Sequence, residues 1–185
     1  TILIVGLGNE NVVSDSLGPK TLDGIIATAH FFNVGLLKKG LKIYKFKPGV
    51  MDDTGMSAFL STNSLIKALK PDLIITIDSL VSSKISYINK LIQVTDRGIM
   101  PGSGVNNHQT ELSFDTLGIP VIVIGVAMAT TGAAIIRDAL NVRKNKLEFK
   151  KGYDFVVSYK DVDVFALKIS RIISESINTS FNIWQ

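Results

Sequence analysis

Short apolar runs, each followed by a polar loop and a segment with helical spacing, are the feature that most limits the fold of this chain. Residues 1–5, 73–77 and 121–126 are almost wholly aliphatic or β-branched. Strands that are apolar on both sides are typical of parallel sheets, in which crossover helices cover the two faces. The pattern therefore predicts an α/β fold in three layers, with a mostly parallel central sheet and helices on both faces.

The order of the first three strands can also be predicted. Residues 41–47 alternate apolar and basic side chains, which is typical of a strand near the edge of a sheet. Right-handed crossovers then place the first strand in the centre, as in flavodoxin-like sheets. We therefore expect the second and third strands to lie on either side of it.

Periodicity predicts further elements in the second half of the chain. We expect a strand over residues 88–95 and a helix over residues 129–140. Ser158 and Asp161 stand three residues apart, as in a capping box, and predict the start of a last helix. Composition shows no linker and no repeat, so a single domain is expected.

The loop over residues 6–19 follows the first strand and is polar and rich in glycine. Open α/β sheets bind their ligands beyond the carboxyl ends of the strands. Asp15 lies in the middle of this loop, and Asp78 follows the apolar run at 73–77, which we expect to end there. Because the first and third strands are expected to be neighbours, both carboxylates should reach one crevice.

Paired carboxylates suit hydrolysis, because like charges held close together share a proton. One carboxylate then accepts a proton from water, while the other stays protonated and polarises the carbonyl group. The same pair with His108 could instead hold a divalent metal through oxygen and nitrogen atoms. Each aspartate alone could also be a helix cap or a turn residue. The residues themselves leave these alternatives open.

A dinucleotide site is the obvious rival for Gly6-Leu7-Gly8. Its fingerprint requires a third glycine where this chain has Asn11, and an acidic residue at the end of the second strand. Lys45 and Lys47 occupy that region instead. The pattern therefore argues against a dinucleotide cofactor.

Serine catalysis has equally weak support. Ser103 lies between glycines and near His108, but no G-x-S-x-G elbow follows a strand. His30 stands in an apolar helical stretch and is expected to be a packed or partly exposed histidine. Of the two histidines, His108 is the better functional candidate.

Composition excludes several classes of function. The chain contains no cysteine, which excludes disulfides, thiolate zinc sites and a cysteine nucleophile, and fits a reducing cytoplasm. The longest apolar run, residues 121–136, is shorter than the roughly 20 residues of a membrane helix. The net charge of +4 arises largely from the basic run 143–151, in which Phe149 is the single aromatic residue, so neither a membrane nor direct nucleic-acid binding is expected.

The sequence resembles the spore germination protease family along nearly its whole length. The matching segments follow one another in order and comprise residues 4–9, 11–12, 15–19, 48–51, 54–56, 70–74, 77–80, 92–96, 98–99, 101–105, 116–121 and 160–163. An ordered set of this extent is far more specific than any single motif.

The resemblance implies an aspartic-type endopeptidase without a cofactor, made as a zymogen and assembled as a homotetramer in the cytoplasm of the spore core. Its implied substrates are the small acid-soluble proteins of the dormant spore, which it degrades during germination. The family's two essential aspartates fall on Asp15 and Asp78. The implied fold resembles that of hydrogenase-maturation proteases, which suggests a nickel-type site at Asp15, Asp78 and His108 as the alternative.

We expect five further residues to support the substrate. Asn9 and the glycine-flanked amides of Gly102, Ser103 and Gly104 are candidates for binding the substrate backbone or an oxyanion, and His108 is a candidate for contacting the substrate. Members of the family extend beyond both ends of this chain. Residues 1–185 therefore correspond to one α/β peptidase domain without the family's N-terminal region and C-terminal tail, and a core that only folds and assembles is a further alternative.

Overall fold

The computed structural model describes residues 1–103, 109–142, 149 and 152–182. In chain order the helices and strands are β1 (Ile2–Gly6), α1 (Leu17–Gly24), α2 (Ala29–Asn33), β2 (Ile43–Phe46), α3 (Met51–Thr54), α4 (Ala58–Leu69), β3 (Leu73–Ser82), β4 (Ile92–Thr95), α5 (Phe114–Leu117), β5 (Val121–Thr131), α6 (Gly132–Ala139), β6 (Val156–Val157) and α7 (Val162–Ser180). Two short 3-10 turns, Val13–Asp15 and Ile85–Tyr87, precede α1 and β4. Strands and helices thus alternate through most of the chain, as predicted.

The strands form one sheet in the order β2-β1-β3-β5-β4, with β6 added to the end of β5. The pairs β1–β2, β1–β3 and β3–β5 are parallel, whereas β4 and β6 run antiparallel to β5. β1 is therefore central and β2 lies at an edge, which confirms the order predicted for the first three strands. The mostly parallel sheet with helices also confirms the predicted fold class.

Two apolar cores lie on opposite faces of this sheet, and together they make the three layers. All five residues of β1 are buried, and its four aliphatic side chains alternate between the two cores. Beneath α1 and α7 the buried side chains include Ile4, Leu17, Leu22, Ile75, Ile77, Ala166 and Ile173. Beneath α4 and α5 they include Leu3, Val5, Ala58, Ile66, Ile74, Leu117 and Val123. Burial on both faces fixes the carboxyl end of β1 beside Ile77 of β3.

The two central strands extend further than the sequence predicts. β3 runs four residues beyond Asp78 to Ser82, so Asp78 lies within the strand and does not end it. β5 reaches Thr131, and the helix expected from residue 129 begins only at Gly132. The two strands pair along this extension up to Ser82 and Thr130, and β6 pairs with the last residues of β5. Pairing between distant segments, which local periodicity does not reveal, outweighs the helical pattern here.

Two other boundaries differ from the predictions. The strand expected over 88–95 is shortened to Ile92–Thr95, because the preceding residues form a turn in which Lys90 and Leu91 donate their N–H groups to the carbonyl of Tyr87. The last helix begins at Val162, with Asp161 as its N-cap residue, so the predicted capping box at Ser158 is wrong. The N–H of Val162 donates to the carbonyl of Tyr159, and this turn delays the start of the helix.

Within the described part of the chain, no helix combines the length and the apolar character needed to cross a membrane.

Candidate active site

Asp15 is positioned by a tightly folded loop between β1 and α1. Its Oδ2 accepts a hydrogen bond from the backbone N–H of Asn9 at 2.8 Å, and its own N–H donates to the carbonyl of Val12 at 2.8 Å. Gly8 adopts a φ of 106°, and a Cβ atom there would overlap the carbonyl oxygen of Asp15. Burial raises the pKa of Asp15, and the hydrogen bond from Asn9 lowers it in part. The carboxylate is therefore held in one place by the backbone itself.

The other glycines of this loop allow α1 to begin against the ends of two strands. A Cβ atom on Gly6 would lie 2.5 Å from the carbonyl oxygen of Gly18. A Cβ atom on Gly18 would overlap the carbonyl of Leu7 and lie 2.5 Å from that of Ile77. The pair Gly6 and Gly8 thus serves close backbone packing around Asp15, which agrees with the argument against a dinucleotide fingerprint.

Lys45 and Lys47 at the end of β2 also hold this region together. The ammonium group of Lys45 donates to the carbonyls of Leu22 and Ile25 at 2.8 Å each, at the carboxyl end of α1. Lys47 forms ion pairs with Glu10 at 3.2 Å and with Asp23 at 2.9 Å. Both lysines therefore connect β2 to the segment that carries Asp15.

Asp78 lies on β3, one residue beyond the last pair with β1, and is 8% exposed. Its Oδ1 accepts a hydrogen bond from the N–H of Ser79 at 2.8 Å. Burial, followed by the negative charge of Asp15, raises the pKa of Asp78 to about 8, although the hydrogen bond from Ser79 opposes this increase. Asp78 is thus protonated at neutral pH.

The two carboxyl groups open onto one cleft of about 500 Å³, which lies beyond the carboxyl end of β1 and along residues 78–81 of β3. The structure places Asn9, Gly102 and Ser103 in the wall of the same cleft, together with both aspartates. Gly104 and His108, which the sequence also proposes for the substrate site, lie outside the described residues. His30 is exposed on α2 beside Phe31, so the expectation of a partly exposed histidine is met.

Sequence reasoning did not identify the apolar part of the cleft. Its walls include the side chains of Val12, Met51, Leu80, Met100 and Val156. Two of these five, Val12 and Met100, belong to loops, where an apolar residue has no periodic pattern to mark it. A signal was present in the sequence: apolar residues stand next to glycine or proline in Gly49-Val50-Met51 and Met100-Pro101. Met51 and Met100 are exposed there, and such exposed apolar residues could have indicated a binding surface.

Of the three predicted metal ligands, Asp15 and Asp78 lie in the cleft, and Asp52 also lines it. Among residues 1–103, 109–142, 149 and 152–182, no group of three His, Cys, Asp or Glu side chains is arranged to hold a metal ion. A cation bound to the pair would also have to displace the proton that Asp78 holds at neutral pH. The third predicted ligand, His108, lies outside the described part, so the metal-dependent alternative stays a prediction.

Comparison with known proteins reveals clear similarity. Residues 1–147 match the model of a family described as germination protease. The germination protease of Clostridium acetobutylicum is 33% identical over 210 aligned residues, which cover 96% of this chain and 64% of the relative. That of Halalkalibacterium halodurans is 42% identical over 144 residues, covering 76% of this chain and 39% of the relative. The chain therefore spans less than two thirds of the length of these relatives.

Similarity to solved structures is weaker. The solution structure of the endopeptidase HycI from Escherichia coli aligns with 95% of this chain and 90% of its own, with a TM-score of 0.42 and 12% identity. A proteasome-assembly chaperone homologue from Mycobacterium tuberculosis aligns over 96% and 95%, with a TM-score of 0.36 and 11% identity.

Proposed function

This chain belongs to the germination protease family, as its motifs predict, and we propose that it is the catalytic domain of an endopeptidase that uses Asp15 and Asp78 to activate water. The proposed substrates are small acid-soluble spore proteins, cleaved in the spore core during germination. We extend the proposal to the zymogen form and the homotetramer that the family resemblance implies.

The observation that carries the proposal is that two carboxyl groups in one cleft differ in their protonation at neutral pH. Asp78 is protonated at neutral pH, and its pKa is raised by burial and by the charge of Asp15. Asp15 keeps a hydrogen bond from Asn9 that favours its ionised form. One base and one acid facing the same cleft are what acid–base hydrolysis of an amide requires.

The proposed reaction assigns one proton transfer to each carboxyl group. Asp15 accepts a proton from water as the water oxygen attacks the carbonyl carbon, and Asp78 donates its proton to the carbonyl oxygen. In the second step, Asp15 returns the proton to the leaving nitrogen as the C–N bond breaks. The hydroxyl group that Asp78 had protonated then gives its proton back to Asp78, which restores both groups.

The remaining predicted residues receive supporting roles in this proposal. The backbone N–H of Asn9 favours the ionised form of Asp15, against the effect of burial, and holds its carboxylate in place. Gly102 and Ser103 lie in the cleft wall, where their amides are candidates for binding the substrate backbone, and Gly104 continues this segment. His108 stays a proposed substrate contact.

Substitution of each aspartate tests the assignment. Asp15→Asn and Asp78→Asn keep the size of the side chain and remove its acid–base function, so each should lower the cleavage rate of a small acid-soluble spore protein by roughly a hundredfold or more. Asp96→Asn, at an exposed aspartate, is the matched control. Full activity in either cleft variant would contradict the mechanism.

Two further comparisons separate the alternatives. Each variant should be prepared in this chain and in a chain of the relatives' full length, because activity confined to the longer chain would favour a core that only folds and assembles. Activity that survives exhaustive chelation supports the proposed mechanism. Activity lost on chelation and restored by nickel would favour the metal-dependent alternative.

A further inference from the structure

β3 continues beyond the point where its neighbour β1 ends. The last residue of β1, Gly6, lies opposite Ile77, whereas β3 extends to Ser82. On the other side, β5 follows β3 as far as Ser82. Within the described part of the chain, the β1-facing edge of β3 is therefore paired with no strand after Ile77.

The hydrogen bonds of β3 show which backbone groups this edge presents. Leu7 donates its N–H to the carbonyl of Ile77 at 2.8 Å, so Ile77 faces β1, whereas Ile74 donates to Pro120 on the opposite side. The register between β3 and β5 shifts after Leu80, yet the Thr130 hydroxyl on β5 donates to the carbonyl of Ser82, so Ser82 still faces β5. Since successive residues of a strand direct their backbone groups to alternate sides, residues 79 and 81 face the β1 side. The N–H of Ser79 is taken by Asp78. The carbonyl of Ser79 and both backbone groups of Val81 are left without a strand partner among the described residues.

This edge lies in the same cleft as the two carboxyl groups. Ser79, Leu80 and Val81 line the cleft, and Asp78 immediately precedes them. The hydroxyl group of Ser79 is buried and has no hydrogen-bond partner among the described residues. A strand edge with free backbone groups pairs readily with another extended chain, and recognition by added strands uses this property.

We propose that the edge of β3 at residues 79–81 binds the polypeptide substrate as an added strand, in line with the end of β1, and thereby presents its scissile bond to Asp15 and Asp78. The bound segment is an extended stretch of substrate, for two reasons. The edge directly follows Asp78 in β3, and its unpaired backbone groups are complementary to those of a peptide. This inference rests on the proposed peptidase function. It implies that a substrate segment must be unfolded locally before it is cleaved.

The substrate side of this pairing can be tested without changing the protein. The bond cleaved in an intact small acid-soluble spore protein is identified by mass spectrometry, and peptides of about ten residues around it are made with one non-scissile amide at a time replaced by an ester. Each ester removes one N–H group without adding bulk. We expect kcat/KM to fall roughly fivefold to tenfold at alternate positions and to change little at the positions between them. Uniform tolerance, or losses without alternation, would overturn the proposal.

The protein side is tested at Val81. Val81→Pro removes the free N–H group, whereas Val81→Ala retains it and serves as the matched control. We expect Val81→Pro to raise KM roughly tenfold or more while the melting temperature stays near that of Val81→Ala, because this N–H has no strand partner among the described residues. An unchanged KM in a folded Val81→Pro variant would contradict the proposed pairing.

Hydrogen exchange gives a readout that depends on neither cleavage nor the folding of Val81→Pro. Exchange at the Val81 amide is measured in the Asp78→Asn variant with and without the intact spore protein, and slower exchange is expected in its presence. No protection there, or protection confined to the outer edges of β2 or β4, would overturn the proposal. Failure of the wild-type chain to cleave any substrate would instead count against the proposed function, and the two failures can thus be told apart.

Discussion

Asp78 holds its proton at neutral pH because it is buried and because the carboxylate of Asp15 faces the same cleft. The two groups reach this position from different elements, a loop after β1 and the interior of β3. Two carboxyl groups that interact in this way lose their protons in two separate steps, which belong to the pair as a whole. The interaction therefore links catalysis and stability to pH.

The first prediction concerns the pH dependence of cleavage. The proposed reaction requires Asp15 ionised and Asp78 protonated, so kcat/KM should rise with pH as Asp15 loses its proton. This rise should occur at a higher pH than for an ordinary aspartate, because burial raises the pKa of Asp15. It should fall again near pH 8, as Asp78 ionises. Initial rates on a spore protein between pH 4 and pH 10 give the profile. A rate that keeps increasing through pH 9 would mean that Asp78 acts in its ionised form.

The second prediction concerns stability. Because the pKa of Asp78 is raised from 3.8 to about 8 on folding, the folded chain keeps this proton over a range in which the unfolded chain has lost it. The free energy of unfolding therefore decreases as the pH rises from about 4 to about 8. Asp78→Asn cannot ionise and should be the more stable protein, by roughly 3–5 kcal/mol at pH 8 and by much less at pH 4.

Urea denaturation at several pH values between 4 and 8 measures this difference. Asp96→Asn, at an exposed position, is the control and should follow the wild-type curve. If Asp78→Asn and the wild-type chain show the same dependence on pH, Asp78 is ionised in the folded state and the acid assigned in the mechanism is wrong.

The sequence predicts the juxtaposition of the two aspartates but not the full shape of their cleft. The crossover rule and the edge character of β2 determine that β1 and β3 are neighbours, and this places Asp15 and Asp78 at the same end of the sheet. The extension of β3 to Ser82 depends on pairing with a strand some 50 residues away, which no local pattern encodes. The same limit explains why the helix predicted from residue 129 begins later.

The last helix shows a second limit of periodicity. Helical spacing alone fits Phe165, Ile169 and Ile172 to one apolar stripe, yet Ile172 is 56% exposed and Ile173 lies in the core. Two neighbouring isoleucines both fit an apolar stripe, and only the actual position of α7 on the sheet selects one of them.

The third prediction concerns Gly18, whose missing side chain allows α1 to approach β1 and β3. A Cβ atom there would overlap the carbonyl of Leu7 and crowd that of Ile77, so Gly18→Ala should displace α1 and cost about 2 kcal/mol or more. Because Asp15 lies three residues earlier, cleavage should be impaired as well. Gly55→Ala is the control, since Gly55 has a φ of 71° and no atom within 4 Å of the added Cβ, and backbone strain alone should cost about 1 kcal/mol. Equal losses in the two variants, with Gly18→Ala fully active, would contradict the packing role.

The fourth prediction concerns Lys45, which lies on the edge strand β2 and donates to two carbonyls at the end of α1. A cation at the carboxyl end of a helix interacts favourably with its unpaired carbonyl groups and with the helix dipole. Lys45→Met keeps much of the aliphatic stem and removes both hydrogen bonds, so the free energy of unfolding should fall by about 1 kcal/mol. The melting temperature should accordingly fall by roughly 2–4 °C for a chain of this size.

Lys39→Met provides the comparison, because Lys39 is exposed in the segment before β2 and the substitution removes the same charge from the protein. Scanning calorimetry of the two variants at one pH separates the local hydrogen bonds from the change in net charge. If Lys39→Met lowers the melting temperature as much as Lys45→Met does, the effect arises from net charge, and the contact between β2 and α1 contributes nothing to stability. A loss confined to Lys45→Met means instead that Lys45 stabilises the end of the helix whose beginning adjoins Asp15.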